Sequence, residues 1–90
     1  MAWEQFTSLN LRGGTLTTIL DDDQDMLEIH YPGGMMIDVG YIEDDRTYYV
    51  TAVADESPAA WNAPLAEAST TDKAALPGLL QQVIDRVTNA

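Results

Sequence analysis

From Met26 to Val53, apolar side chains recur at every second position between glycine-rich and acid-rich breaks, and few folds accept that pattern. Leu27, Ile29 and Tyr31 alternate with Glu28 and His30. Met35, Ile37, Val39 and Tyr41 alternate with Met36, Asp38 and Gly40, and Tyr48, Val50 and Ala52 alternate with Tyr49 and Thr51. A period of two is the period of side chains across a β-strand, so the pattern predicts three strands, each with one apolar face.

The faces also fix the pairing. A three-residue loop at Pro32-Gly33-Gly34, built as a type I turn with Gly34 left-handed in a bulge, sets Tyr31 opposite Met35, Ile29 opposite Ile37 and Leu27 opposite Val39. A two-residue loop would set Glu28 against Ile37 and His30 against Met35, burying charge, and is rejected. A four-residue loop at Glu43-Asp44-Asp45-Arg46 then pairs Tyr41 with Tyr48, Val39 with Val50 and Ile37 with Ala52. Cross-strand aromatic and β-branched pairs of this kind contribute from a few tenths to about 1 kcal/mol each.

On the N-terminal side, Leu9 and Leu11 alternate with polar residues, Gly13-Gly14 offers a two-residue turn, and Thr15 to Leu20 is β-rich; together they predict another hairpin. Ala54 to Thr70 breaks the alternation and reads as a crossing segment whose Trp61 and Leu65 plug the end of the core. Asp72 to Thr88 carries Leu76, Leu80, Val83, Ile84 and Val87 at helical spacing. Thr70 or Thr71 is placed to cap it, and Arg86 suits its last turn. Pro77 requires either a start near Leu76 or a bend. The predicted fold is α+β: an antiparallel β-meander of about five strands with one C-terminal helix on one face, two layers in all.

Ninety residues bound this to a single domain, 1–90. The chain has no cysteine, which excludes a structural disulfide and a thiolate metal site. No apolar run approaches the roughly 18 residues of a membrane span, and the N-terminus has no basic region before an apolar one, so the expected location is cytoplasmic. Four bases against 15 acids give a formal charge of −11. Phosphate backbones and anionic lipid are repelled at that charge, so neither nucleic acid nor membrane is the expected partner; a basic protein is.

Seven of the 15 acids fall in two bursts, Asp21, Asp22, Asp23 and Asp25, and then Glu43, Asp44 and Asp45. The meander brings both to the same end of the sheet, concentrating seven carboxylates. Asp21, Asp23 and Asp25 have the one-three-five spacing of a calcium loop. The glycine of position six is Met26 and the bidentate glutamate is Pro32, so an EF-hand is rejected.

On the sheet face away from the helix, the register places Glu28 opposite Asp38 with His30 two residues along. These three are candidates for a metal or acid–base site, although one histidine and two acids on a sheet are a weak signal. The same face carries Met26, Met36, Gly40, Ile42, Tyr49, Thr51 and Val53, too apolar a mixture for a purely solvated surface. Tyr49 stands opposite Gly40, where its ring can lie over the glycine and anchor an interface.

Nucleophilic catalysis has no support. Ser8, Ser57 and Ser69 lie in no nucleophile elbow, and Gly13-Gly14 and Gly33-Gly34 precede neither a helix nor the lysine of a phosphate loop. No enzyme activity and no cofactor are expected. The leading expectation is a small acidic binding protein, an inhibitor of the immunity or antitoxin kind that covers a basic surface or active site, such as that of a bacterial nuclease toxin. Its partner-binding residues would be Asp21, Asp22, Asp23, Asp25, Glu43, Asp44, Asp45 and Tyr49. The alternatives are an accessory subunit that dimerises through its open sheet face, and a metal-binding or enzymatic domain centred on Glu28, His30 and Asp38.

Overall fold

The computed structural model describes residues 9–19, 27–42 and 44–88. Five strands form one antiparallel sheet: β1 (Thr15–Ile19), β2 (Leu27–His30), β3 (Met36–Ile42), β4 (Thr47–Val53) and β5 (Ala66–Thr70). They lie side by side in chain order. A short helix, α1 (Pro58–Asn62), joins β4 to β5, and a 3-10 turn (Lys73–Ala75) leads into α2 (Leu76–Thr88). The chain is therefore an α+β meander with its C-terminal helix packed on one face.

The register at the centre of the sheet is the one the faces require. Leu27 pairs with Val39 and Ile29 with Ile37, while Ile37, Val39 and Tyr41 pair with Ala52, Val50 and Tyr48. The Tyr41 and Tyr48 rings meet with centroids 4.7 Å apart at an interplanar angle of 40°. Ile29, Ile37, Val50, Leu80 and Ile84 are fully buried and belong to one cluster spanning the sheet and α2. Burial of such a side chain stabilises by about 1.5–3 kcal/mol, which is what holds the helix to the sheet.

The β2–β3 connection has the expected three-residue length but another turn type. The Tyr31 amide donates to the Met35 carbonyl at 2.9 Å and the Gly34 amide to the Tyr31 carbonyl at 3.3 Å. Gly33 and Gly34 both have positive φ, 92° and 103°. Pro at the first central position followed by a positive-φ glycine makes a type II turn, not type I. In the β3–β4 loop Arg46 takes up the left-handed conformation at φ 52°, and the Thr47 hydroxyl donates to the Asp45 carbonyl at 3.0 Å.

Several expectations at the margins of the sheet need correction. Leu9 to Leu11 form no strand. The turn that follows them centres on Arg12-Gly13, both with positive φ, and the Gly14 amide donates to the Leu11 carbonyl at 3.2 Å. The segment docks on α2 instead: the Asn10 amide donates to Gln81 Oε1 (2.8 Å), Gln81 Nε2 donates to the Asn10 carbonyl (3.1 Å), and Arg12 Nε pairs with Asp85 (2.6 Å). Its backbone polar groups are met by a helix side chain rather than by a neighbouring strand. The Tyr31 hydroxyl also donates to the Leu11 carbonyl, at 2.8 Å.

The fifth strand comes from the other end of the chain, β5, within the stretch expected to cross irregularly. Trp61 and Leu65 do not plug the core. They are 39% and 50% exposed, because α1 and the turn after it lie outside the sheet. At the start of the C-terminal helix, Asp72 is the cap, accepting from the Ala74 amide at 2.9 Å, while the Thr70 hydroxyl accepts from the Asp72 amide at 3.0 Å. Pro77 falls in the first turn of α2, where its missing N–H has no helical partner to lose.

Candidate functional site

Strand parity divides the sheet into two sets of side chains. One set faces α2 and makes the core. The other forms cross-strand rows, and the middle row runs Glu28, Asp38, Thr51, Glu67 from β2 to β5. His30, Met36 and Val53 make the row on one side of it, and Gly40, Tyr49 and Ser69 the row on the other. With strands about 4.8 Å apart, the row holds three carboxylates across four strands. Among the described residues these rows contain no lysine or arginine.

Asp38 is the centre of the row. It is 9% exposed, and its carboxylate receives no hydrogen bond from the described residues. Burial raises its pKa above the usual carboxylate value, and the facing Glu28 charge raises it further. Beside the row, His30 Nε2 lies 3.1 Å from Glu28 Oε1, a hydrogen bond between two half-buried side chains. Burial and then the Asp38 charge raise the Tyr49 pKa, so the phenol stays neutral at ordinary pH. As expected from their pairing, the Tyr49 ring lies over Gly40, taking the space a side chain there would need.

This face is not open throughout. Met36 is 3% exposed and Val53 is fully buried, although both point away from α2 and stand outside the core cluster. They pair across β3 and β4. Exposure lies at the margins, at Ile42 (45%), Glu67 and Ser69. A shallow depression between Tyr49, Thr51, Glu67 and Ser69 marks the β5 side.

The structure separates Asp44 and Asp45 from this row. Asp44 and Asp45 are exposed in the β3–β4 loop, at the end of the sheet shared by Ile19, Leu27, Ile42 and Thr47. Asp21, Asp22, Asp23, Asp25 and Glu43 lie outside the described residues, as does Met26. Glu28, His30 and Asp38 do come together as neighbours. They make no metal centre: among the described residues, no group of three His, Cys, Asp or Glu is placed to hold an ion.

Glu67 escapes notice in the sequence because its strand does. Ala66-Glu67-Ala68-Ser69-Thr70 does alternate small and polar residues, which is the one signal that marks it. The bases stand elsewhere: Arg12 pairs with Asp85 on α2, and Arg46, Lys73 and Arg86 belong to the β3–β4 loop, the 3-10 turn and α2. Searches against protein-family models, curated proteins and solved structures find no match for this chain. Among the described residues no helix is long and apolar enough to cross a membrane.

Proposed function

We propose that this protein binds a cationic surface of another protein through the sheet face that carries Glu28, Asp38 and Glu67, and that it acts there as an inhibitor of the immunity or antitoxin kind, covering a basic surface or active site. The observation that carries this reading is Asp38. It is a nearly buried carboxylate with no hydrogen bond from a described residue, set opposite a second carboxylate on a face whose described residues include no lysine or arginine. An arginine or lysine from a partner relieves that repulsion and supplies the hydrogen bonds, gaining strength from the low local dielectric.

Tyr49 and Ile42 add apolar area beside the charge, the mixture from which protein contacts are built. The net charge of −11 speeds encounter with a basic partner and repels nucleic acid. Asp44 and Asp45 contribute to that long-range attraction from the sheet end. A cytoplasmic location belongs to the same proposal.

The test is calorimetric titration of the protein with a hexa-arginine peptide at low and at physiological salt. We expect Asp38→Asn with Glu67→Gln to weaken binding several-fold and to flatten its salt dependence more than Asp44→Asn with Asp45→Asn does. Equal affinities for all three proteins at every salt concentration would remove the face from the proposal.

A further inference from the structure

The two edges of the sheet are not alike. The register of β1 against β2 is broken by an irregularity between Leu16 and Thr18. A bulge on an edge strand twists its free polar groups out of line and discourages further pairing. By contrast, β5 pairs with β4 in five consecutive, unbroken positions, and among the described residues no other strand lies beyond it. It carries no proline, no lysine and no bulge, the usual guards of an edge. Among the described residues, then, no strand pairs with its outward N–H and C=O groups.

Both sides of that edge are hollow. Toward the helix, a groove between β5 and α2 is lined by Ala66, Glu67, Ala68, Leu79, Gln82, Val83 and Arg86. On the other side lies the depression between Tyr49, Thr51, Glu67 and Ser69. A sixth strand placed here would send alternate side chains to the two hollows: the first offers apolar contact at Ala66, Leu79 and Val83, and the second lies on the face to which the register assigns Glu67.

We infer that β5 receives an extended segment of the partner protein, one that alternates apolar residues with lysine or arginine, as a sixth strand of the sheet. The inference rests on the proposed function for the sign of the partner's charge, and adds where and how the partner docks. Charge selects the occupant. A second copy of this chain would bring Glu67 toward Glu67 and −11 toward −11, which disfavours self-pairing, while a basic strand meets attraction from the same groups. Glu67, the single charge on β5, thus guards the edge against its own kind and leaves it available to a cation-bearing strand.

The experiment uses a synthetic peptide of alternating arginine and valine, titrated into the full chain and followed by amide chemical shifts and calorimetry. Two further peptides carry N-methyl groups, one on the arginine nitrogens and one on the valine nitrogens. In a sixth strand only one of these two sets of N–H groups faces β5. We expect shifts at Ala66 to Thr70 together with Leu79 and Val83, and a loss of about tenfold or more in affinity for one methylated peptide but not the other. Glu67→Gln should weaken the parent peptide, and glutamate in place of its arginines should abolish binding.

Equal affinity for all three cationic peptides, with shifts confined to Glu28, Asp38 and Tyr49, would overturn the edge inference and leave the cationic-surface reading standing. Dimerisation through β5 in place of peptide binding would overturn the choice of occupant. Failure of every cationic peptide to bind would overturn both.

Discussion

The Tyr49 ring lies across the bare backbone of Gly40, so close that a methyl group at position 40 would sit 2.5 Å from the ring's Cζ. The backbone there is ordinary strand, and the constraint is space alone. Gly40→Ala should push the ring off the sheet and destabilise by about 1 kcal/mol. In a Tyr49→Ala background the same change should be neutral or stabilising, because alanine suits a strand better than glycine. A double-mutant cycle in urea measures this coupling; additive effects of the two changes would contradict the contact.

The turn at Pro32-Gly33-Gly34 makes a second, sharper test. Both glycines have positive φ, and neither position is crowded: Gly33 has open space around it, and Gly34 meets nothing nearer than Asp55 Cβ at 3.6 Å. The cost of a side chain is therefore backbone strain at each. Gly33→Ala and Gly34→Ala should each destabilise by about 1 kcal/mol or somewhat more. A type I turn would leave Gly33→Ala nearly silent, so comparing the two denaturation midpoints distinguishes the turn types.

Asp38 sets a pH dependence whose sign follows from its burial. Its folded pKa is raised above the ordinary 3.8, by burial first and by Glu28 second. Below the unfolded pKa both states are protonated and Asp38 carries no penalty. As pH rises through the folded value, the ionised carboxylate costs stability. Asp38→Asn removes that cost while keeping the shape, and its amide can donate to Glu28. The variant should melt above the parent at neutral pH, and the gap should close as the pH falls below about 3.8. A gap that stays constant from neutral to acid would show that Asp38 is not penalised.

Gln81 fastens the segment before β1 to the C-terminal helix through both the oxygen and the nitrogen of its side-chain amide. Gln81→Ala should leave the sheet intact and free the segment locally. Hydrogen exchange at the Asn10 amide should quicken by about tenfold or more while Ile29 and Val50 keep their protection. Exchange that speeds throughout the sheet would mean that this clasp supports the whole fold.

The centre of the sheet is legible in the sequence because two independent constraints agree there. Alternation assigns the faces, and loop length then leaves one register in which apolar meets apolar. The same two constraints place Glu28 opposite Asp38 and Gly40 opposite Tyr49 from the residues alone. They fail at the edges, where only one side of a strand must match. Leu9 and Leu11 alternate like a strand, yet bury their side chains beside a helix whose Gln81 satisfies the backbone. In β5, alanine and serine take the place of β-branched residues, so the strand gives little sign of itself and Glu67 stays hidden with it. Trp61 and Leu65 mislead in the other direction, since a large apolar residue suggests a core without guaranteeing one.

Because the strands stand in the sheet in chain order, each pairing joins segments that are already close along the chain. Little loop entropy must be lost at any one step, so the meander can zip from the β2–β3 turn outward without waiting for distant partners. The clasp between Asn10 and Gln81 is different, since it closes over 71 residues. Its assembly belongs after the sheet and helix exist, and mutations there should speed unfolding while leaving the folding rate nearly untouched.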